Sequence, residues 1–357
     1  IAGEAMLRAE TPQEQFNLIG AGRRRLNING DMEVWQRGTS FTGLNSGNNY
    51  TADRYPFKTT SNGTWTISRE ADAPSGFKYS LKALCTSGDS SPNQLRLYHS
   101  IEGQDVNQLA YGTNDAKPVS VSFWVKSNIT GTYSSSLETH VSGRQASLNF
   151  TIDSAGVWEK KELTFQGDSG SGITTTNGTG LTMSVWFGAM SALGSNGTTD
   201  GVWVTDSNYA RLTGGLNVNL GATANNYVQI TGIQIETGKV ATPFEHRSYG
   251  EELALCQRYY ERFITNDNNR PLANYWAAGY ANLWIPFKVE KRAAPTVSAT
   301  TGSIYNGSWV NMTAIQATPS GTTGDSDGVS FMVQSGGGSA GYAAFARNFT
   351  ATFDAEI

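Results

Sequence analysis

Carboxylates are the side chains of this sequence with the widest choice of chemistry, because a pair of Asp or Glu residues can supply the acid and the base of glycoside hydrolysis. The candidates are Asp53, Glu70, Asp72, Glu102, Asp105 and Glu138. The chain has 30 acidic residues, so such pairs arise by number alone. Nothing in their spacing singles out a nucleophile with a matched base, and we therefore predict no catalytic residues and no enzyme activity.

Histidine and cysteine are the next candidates, because they bind metals and act as nucleophiles. His99, His140 and His246 show no short metal-ligand spacing, and we predict structural roles for all three. Cys85 and Cys256 lie far apart in the sequence and form no metal or redox motif. We expect both to be free thiols that are at least partly buried, with a disulfide as the alternative.

Aromatic residues offer a third kind of chemistry, since a ring in a loop can stack on the apolar face of a sugar while Asn and Asp side chains bind its hydroxyls. The chain has nine Trp and 15 Tyr residues. Candidates for glycan or receptor contact lie in or beside Gly-, Asn- and Ser-rich segments: Tyr275, Trp276, Tyr280, Tyr305 and Trp309. The alternative is that these rings pack a small core or an interface between chains.

Composition excludes several classes of partner. A net charge of −4 and a pI near 5.5 argue against nucleic acid, which requires a basic face. The one basic cluster, 23–25, is too short for a binding stripe and is interpreted as a solvated connector. No run of about 18 apolar residues encodes a membrane span. Charged residues make up only 16% and Gly reaches 40 residues, which is typical of a turn-rich β protein.

Alternating hydrophobicity predicts many short strands. Apolar residues alternate with polar ones, or with a single Trp, at 119–125 and 181–187. We interpret both as half-buried strands with Trp124 and Trp186 on the outer face. In 228–235 the phase slips by one residue at Gly232, which predicts a β-bulge. Strands at this spacing, separated by Gly, Asn and Ser, favour a sandwich of the jelly-roll kind.

One helix is predicted inside this β pattern. Ser248 and Glu251 have the spacing of a capping box, and apolar residues then follow at helical intervals. The helix should span residues 251–263 and close the first β domain. Alternation resumes at 283–289, 329–333 and 345–353, which predicts a second, smaller β domain.

The predicted organisation therefore has four parts. Residues 1–24 are an N-terminal connector to a preceding segment, 25–248 a jelly-roll β-sandwich, 249–264 a linking helix, and 265–357 a C-terminal β domain. The fold class is mainly β.

Several stretches resemble bacteriophage tail-fibre and virion-appendage proteins. They are NINGDMEVWQRGTSF at 27–41, YTADRY at 50–55, ITGIQIETG at 230–238, ATPFE at 241–245 with LALCQRYY at 253–260, and the ending FDAEI at 353–357. The resemblance covers roughly residues 25–263. It implies a jelly roll like that of carbohydrate-binding modules, carried on a trimeric fibre that is made in the bacterial host cytoplasm and assembled into the virion.

The resemblance also bears on cofactors. Residues 29–33 are similar to the first strand of carbohydrate-binding jelly rolls, in which oxygen ligands hold a structural Ca²⁺. The implied ligands are Asn29, Asp31 and Glu33. The sequence departs from that pattern at 231–233, where the expected acidic partner of the last strand is replaced by Thr-Gly-Ile. We expect no other cofactor.

Two functions from different classes remain open. In the first, the chain is a tail-fibre module that attaches to the host surface by binding glycans or another receptor, with weak sites made strong by repetition. In the second, it is a structural element, a capsid-attached fibre or a spacer, and binds only other virion proteins.

We expect the chain to assemble as a parallel homotrimer. Aromatic residues of the run 345–353 occupy positions where a lone small domain would struggle to bury them all, and contacts between chains would hide them. Light scattering on the purified protein at micromolar concentration should therefore report three chains. A monomer under these conditions would contradict the prediction.

Overall fold

The computed structural model describes residues 25–90, 93–141, 143–190, 200–205, 212–266, 269–305, 309–318 (side chains to 315) and 327–357. The chain divides into two compact units, Ile1–Tyr249 and Gly250–Ile357. The predicted connector, 1–24, lies outside the described residues. The prediction of a mainly β chain, with a jelly-roll sandwich followed by one helix and a smaller β unit, is confirmed.

The first unit contains eleven described strands. They are β1 (Ser40–Ala52), β2 (Tyr55–Glu70), β3 (Ser80–Ser87), β4 (Leu95–Glu102), β5 (Val119–Ser127), β6 (Gly131–Thr139), β7 (Arg144–Ile152), β8 (Glu159–Phe165), β9 (Thr179–Gly188), β10 (Val204–Thr205) and β11 (Tyr227–Thr237). Two 3-10 helices, Gly103–Leu109 and Leu220–Ala222, connect them.

The strand β2 joins the two layers of the sandwich. Its first part, 57–59, pairs with β4, and its second part, 64–70, pairs with β3. The strand order is β10-β7-β6-β9-β4-β2-β3-β11-β5-β8, with β1 paired to β2. Because the inner faces of both halves are apolar, the sheet folds over on itself, and Phe123 of β5 meets Phe150 of β7 with ring centroids 5.1 Å apart.

The predicted strands at 119–125 and 181–187 are confirmed as β5 and β9. Trp186 lies on the outer face of β9, as predicted, but it is only 1% exposed. Its indole N–H donates to Ser136 Oγ at 2.9 Å, and the ring packs with Leu212. A loop thus covers the outer face of β9.

The bulge predicted at Gly232 is confirmed. The register between β11 and β5 shifts between Thr231 and Gln234, and Gly232 has a φ of +63°. A Cβ at this position would lie 2.6 Å from the Phe77 ring and 3.1 Å from that of Trp124. The bulge therefore requires glycine both for its backbone conformation and for the close approach of two aromatic rings.

Two buried asparagines hold residues 26–34 against the sandwich. The amide of Asn27 donates to Tyr55 Oη and to the Ile233 carbonyl, each at 2.8 Å, and its Oδ1 accepts from the Ile235 N–H. Asn29 donates to the carbonyls of Val34 and Asp53 and accepts from the Val34 N–H, all at 2.9 Å. We call Asn27 and Asn29, with these hydrogen bonds, the amide latch.

His99, a polar side chain beside the amide latch, is also paired. His99 is fully buried, and burial holds its pKa well below the usual value, so the ring is neutral. Its Nδ1 lies 3.1 Å from the Arg54 carbonyl, to which it donates, and Nε2 accepts from the Ile28 N–H at 3.4 Å. The structural role predicted for His99 is thereby supported by its contacts.

Arg25 corrects the expectation of a solvated basic connector. It is 3% exposed, its backbone N–H donates to Glu245 Oε2 at 2.8 Å, and its guanidinium lies 4.9 Å from the centre of the Phe244 ring. The segment at 241–247 folds over the amide latch and buries Arg25. The three adjacent arginines in the sequence do not reveal this burial.

In its described residues, the second unit has one short helix and nine strands. They are α1 (Tyr249–Gln257), β12 (Tyr260–Ile264), β13 (Leu272–Ala277), β14 (Tyr280–Pro286), β15 (Thr296–Ala299), β16 (Ser303–Tyr305), β17 (Trp309–Thr318), β18 (Gly328–Ser335), β19 (Ala343–Arg347) and β20 (Thr350–Asp354). Among the described residues, no helix is long and apolar enough to cross a membrane.

The predicted end of the helix at Phe263, and hence a linking helix over 249–264, is wrong. The helix ends at Gln257, and 260–264 forms β12, which pairs antiparallel with β20. The buried carboxylate of Glu261 explains this arrangement, because it accepts from Lys291 Nζ at 2.7 Å inside the unit. The helix itself is grouped mainly with the second unit, not the first.

Six strands of the second unit close a barrel in the order β13-β14-β18-β17-β16-β19, beside a three-stranded sheet β12-β20-β15. Phe349 and Phe353 are 1% and 0% exposed within this unit, so it buries them without a second chain. Of the aromatic residues behind the trimer prediction, only Phe345 is exposed, at 42%. The two cysteines are free and buried, as predicted, and form no disulfide.

The amide latch generates a stability prediction. Asn29→Ala removes three buried hydrogen bonds and leaves alanine at a φ of +56°, so we expect the first unit to lose about 3 kcal/mol of unfolding free energy. Asn48→Ala, at an exposed position of β1, should change it by less than about 0.5 kcal/mol. Urea unfolding followed by Trp fluorescence measures both, and equal effects would contradict a structural role of the latch.

Candidate functional site: an aromatic row on the barrel

Exposed aromatic rings concentrate on the outer face of the barrel. Among the described residues, the aromatic side chains that are at least one-third exposed are Tyr249, Trp276, Trp284, Tyr305, Tyr342 and Phe345. All but Tyr249 lie on the barrel strands or in the loop before β19. A barrel needs apolar residues on its inner face only, so this outer set is not explained by folding of the unit.

Four outward residues form a continuous line across adjacent strands. Leu272 of β13 pairs with Phe345 of β19, Phe345 pairs with Tyr305 of β16, and Tyr305 pairs with Trp309 of β17. Leu272 is 66% exposed and Tyr305 38%. We call these four residues the aromatic row. Because neighbouring strands lie about 4.8 Å apart, the row spans about 14 Å.

Polar groups border the aromatic row. The guanidinium of Arg347 lies 3.7 Å from the centre of the Trp309 ring, a close cation–π contact. In the register next to the row, Arg347 pairs with Ser303 and Ser303 pairs with Asn311. The Ser303 hydroxyl lies 3.3 Å from Asn311 Oδ1. Hydrogen-bond donors and acceptors therefore form a line parallel to the aromatic row, two residues away along each strand on the same face.

A second aromatic pair belongs to the β13–β14 hairpin. The rings of Trp276 and Tyr280 lie 5.6 Å apart, and the Tyr280 hydroxyl accepts from Gln334 Nε2 at 3.3 Å. The strand register places this hairpin turn at the end of the barrel where β16 ends and β17 begins. The rings of Tyr305 and Trp309 at that end lie 5.2 Å apart.

The structure removes Tyr275 from the predicted contact set. Its ring is 0% exposed in the barrel core, and its hydroxyl lies 2.8 Å from Ser335 Oγ. Gly338 packs its bare Cα against the ring, where a Cβ would come within 2.2 Å. Tyr275 alternates with the outward Asn274 and Trp276, so its position in β13 requires it to face inward.

Sequence reasoning missed Leu272, Phe345 and Arg347, which complete the site. In β19 the small residues Ala344 and Ala346 are buried, and the large Phe345 between them is exposed. The alanines on both sides of the ring were the available sequence signal that it faces outward. Its alignment with Tyr305 depends on pairing between strands separated by 40 residues and could not be read from the sequence.

The residues predicted to bind Ca²⁺ are placed differently from the expectation. Residues 26–39 form turns and not a first strand. The side-chain oxygen of Asn29 is used by the Val34 N–H, and Asp31 is a separate buried carboxyl whose pKa is raised by burial. Among the described residues, no group of three or more His, Cys, Asp or Glu side chains could hold a metal ion.

The candidate carboxylates take part in ordinary polar contacts. Glu138 pairs with Arg96 at 2.8 Å, Glu102 accepts from Gln104 at 2.7 Å, and Asp72 pairs with Lys126. The sequence also contains Gly-x-Ser-x-Gly at 324–328 and 337–341. The second match lies in the loop between strands β18 and β19, whereas a hydrolase serine of this motif requires a strand-to-helix turn.

No family model matches this sequence, and no curated protein matches it. Similar solved structures include the enzymatically active domain of bacteriophage CBA120 tailspike protein 4, with 12% identity and a TM-score of 0.31, over 54% of this chain and 21% of that one. A family 11 carbohydrate-binding module from Clostridium thermocellum, solved with a β-1,3-1,4-mixed-linked tetrasaccharide, has 10% identity and a TM-score of 0.28, over 62% and 100%.

The C-terminal family 22 carbohydrate-binding module of Clostridium thermocellum Xyn10B has 9% identity and a TM-score of 0.29, over 58% of this chain and 97% of that module. This chain spans about a fifth of the tailspike domain. Identities and TM-scores this low say nothing of what the chain binds.

The opposite orientations of neighbouring rings in β13 yield a prediction. Tyr275→Ala empties a core position and should cost about 3–5 kcal/mol, whereas Trp276→Ala removes a ring that is 52% exposed and should cost less than about 1 kcal/mol. Thermal unfolding of the purified variants measures both effects. Similar destabilisation by the two substitutions would show that Trp276 packs into the protein.

Proposed function

We propose that this chain is a non-enzymatic adhesion module of a bacteriophage tail fibre, and that it binds bacterial surface glycans through the aromatic row of its barrel. The observation that carries the proposal is the register of Leu272, Phe345, Tyr305 and Trp309, which aligns four outward apolar side chains beside a polar line.

The geometry of the row suits a sugar chain. Rings about one strand spacing apart present apolar faces at intervals close to the length of one pyranose unit. Ser303, Asn311 and Arg347 next to them supply donors and acceptors for hydroxyl groups. Because Arg347 stacks on Trp309, that ring supports the guanidinium, and the faces of Tyr305 and Phe345 are the ones we assign to sugar stacking.

The assignment to a phage fibre is supported by the sequence resemblance and by where its residues lie. The segments at 27–41, 50–55 and 230–238 meet at the amide latch, and 241–245 binds 230–238, so the shared pattern describes a structural framework of the first unit. In this proposal the protein is part of the virion, forms homotrimers and contacts other virion proteins. Three copies would multiply weak glycan binding through avidity.

A structural spacer is the second candidate function, and the apolar outer face of the barrel favours it too. Leu272 and Phe345 would be covered equally well by another chain. In that case the aromatic row is a seam between protein chains, and its substitution changes assembly without affecting any carbohydrate.

The two functions are separated by a double variant, Tyr305→Ala with Phe345→Ala. We expect it to weaken binding to its best ligand on an array of bacterial capsular and O-antigen polysaccharides by roughly tenfold or more, about 1.4 kcal/mol. The melting temperature and the oligomeric state should remain unchanged. The control is Trp284→Ala, which removes an equally exposed ring of the same barrel outside the row and should bind normally.

Loss of the trimer in the double variant would instead favour the spacer. Unchanged glycan binding, or the absence of any polysaccharide ligand for the unsubstituted protein, would contradict the adhesion proposal. Release of reducing ends from a bound polysaccharide would overturn the non-enzymatic part of it.

A further inference from the structure

An open pocket lies on the outer face of the first unit. It has a volume of about 260 Å³ and is bounded by strands β5, β8 and β11 and by two loops. Its lining side chains include Phe77, Ser122, Trp124, Lys160, Phe244 and His246. None of them is used by the barrel site, and the pocket belongs entirely to the first unit.

Aromatic rings form the walls of this pocket. The ring centroids of Phe77 and Phe244 are 5.0 Å apart in an edge-to-face arrangement, and His246 lies 4.8 Å from Phe244. Trp124 faces Phe77 across the bare Cα of Gly232. The bulge in β11 thus lets both rings approach the bare Cα of Gly232, and a side chain at this position would clash with them.

Hydrogen-bonding groups line the same space. In the described part of the chain, the Ser122 hydroxyl and the indole N–H of Trp124 have no hydrogen-bond partner, although Ser122 is only 3% exposed. Lys160, paired at 2.6 Å with the exposed Glu162, and His246 stand at the rim. A polar hydroxyl that is almost buried in an aromatic pocket indicates a ligand that is apolar on one face and hydrogen-bonding at its edge.

We propose that this pocket binds a single pyranose ring. A volume of 260 Å³ is slightly below the roughly 300–1,000 Å³ typical of pockets for drug-sized ligands, which suits one ring and not an oligosaccharide. The C–H face of the sugar packs on Trp124 or Phe244, and its hydroxyls reach Ser122 Oγ and the Trp124 N–H. The site is separate from the barrel and does not depend on the function proposed for it.

The test uses the full chain and saturation-transfer difference NMR, which detects weak binding to large assemblies. The probes are the methyl glycosides of glucose, galactose, mannose and glucuronic acid at millimolar concentration. We expect at least one of them to receive saturation at its ring protons. Trp124→Ala should reduce its affinity by roughly tenfold or more, and Ser122→Ala should reduce it without loss of folding.

Matched variants make the result specific. Trp158→Ala removes a nearby half-buried indole outside the pocket and should leave binding intact, as should the barrel double variant Tyr305→Ala with Phe345→Ala. Phe244→Ala, in a loop, tests the same wall if Trp124→Ala fails to fold. Binding of none of the four glycosides, or binding that survives both Trp124→Ala and Phe244→Ala, would overturn the proposal. Loss of glycoside binding in the barrel double variant, with binding kept in Trp124→Ala, would also overturn it, because the signal would then come from the aromatic row.

Discussion

The first unit depends on the hydrogen bonds of two buried asparagines. Residues 26–34 enter the sandwich without forming a strand, so their backbone groups require partners other than a β-ladder. Asn29 provides them for Val34, and Asn27 binds the backbone of Ile233 and Ile235 in β11. Gly30 permits the approach, since a Cβ there would lie 2.0 Å from the Ile233 carbonyl. The same contacts hold β11 beside its bulge, where the pyranose pocket opens. Strand β11 therefore belongs both to the structural framework of the first unit and to the pocket.

The barrel satisfies its backbone hydrogen bonds in a different way, and its outward side chains are therefore not needed for folding. A closed barrel pairs every strand on both sides and has no edge to protect. Its core is completed by inward residues such as Tyr275, Phe331 and Phe349, which are almost wholly buried. Outward positions can then change with little effect on folding. Exposed rings at such positions, such as those of Tyr305 and Phe345, are better explained by a ligand or partner than by stability of the unit.

Local patterns in the sequence correctly predicted the strands and the bulge, because these features depend on local structure. Alternation located β5 and β9, and its phase slip located the bulge at Gly232. The helix was extended too far because Tyr260 and Phe263 fit a helical spacing, while their pairing with 350–354 is a contact between distant segments. Burial of Arg25 and alignment of Phe345 with Tyr305 likewise result from tertiary contacts, which no short window of sequence contains.

The polar residues of the barrel surface bear on which partner covers it. Asn274 and Asn282 pair across β13 and β14, and both are exposed, as is Asn311 beside the aromatic row. A dry protein seam would bury these amides, and each would then need a partner of matching geometry, at a cost of about 1–3 kcal/mol wherever one is missing. A glycan brings hydroxyl groups and bridging water to such positions, and it leaves unused amides solvated. Rings alternating with amides on one face thus favour a wet carbohydrate ligand over a permanent contact between chains.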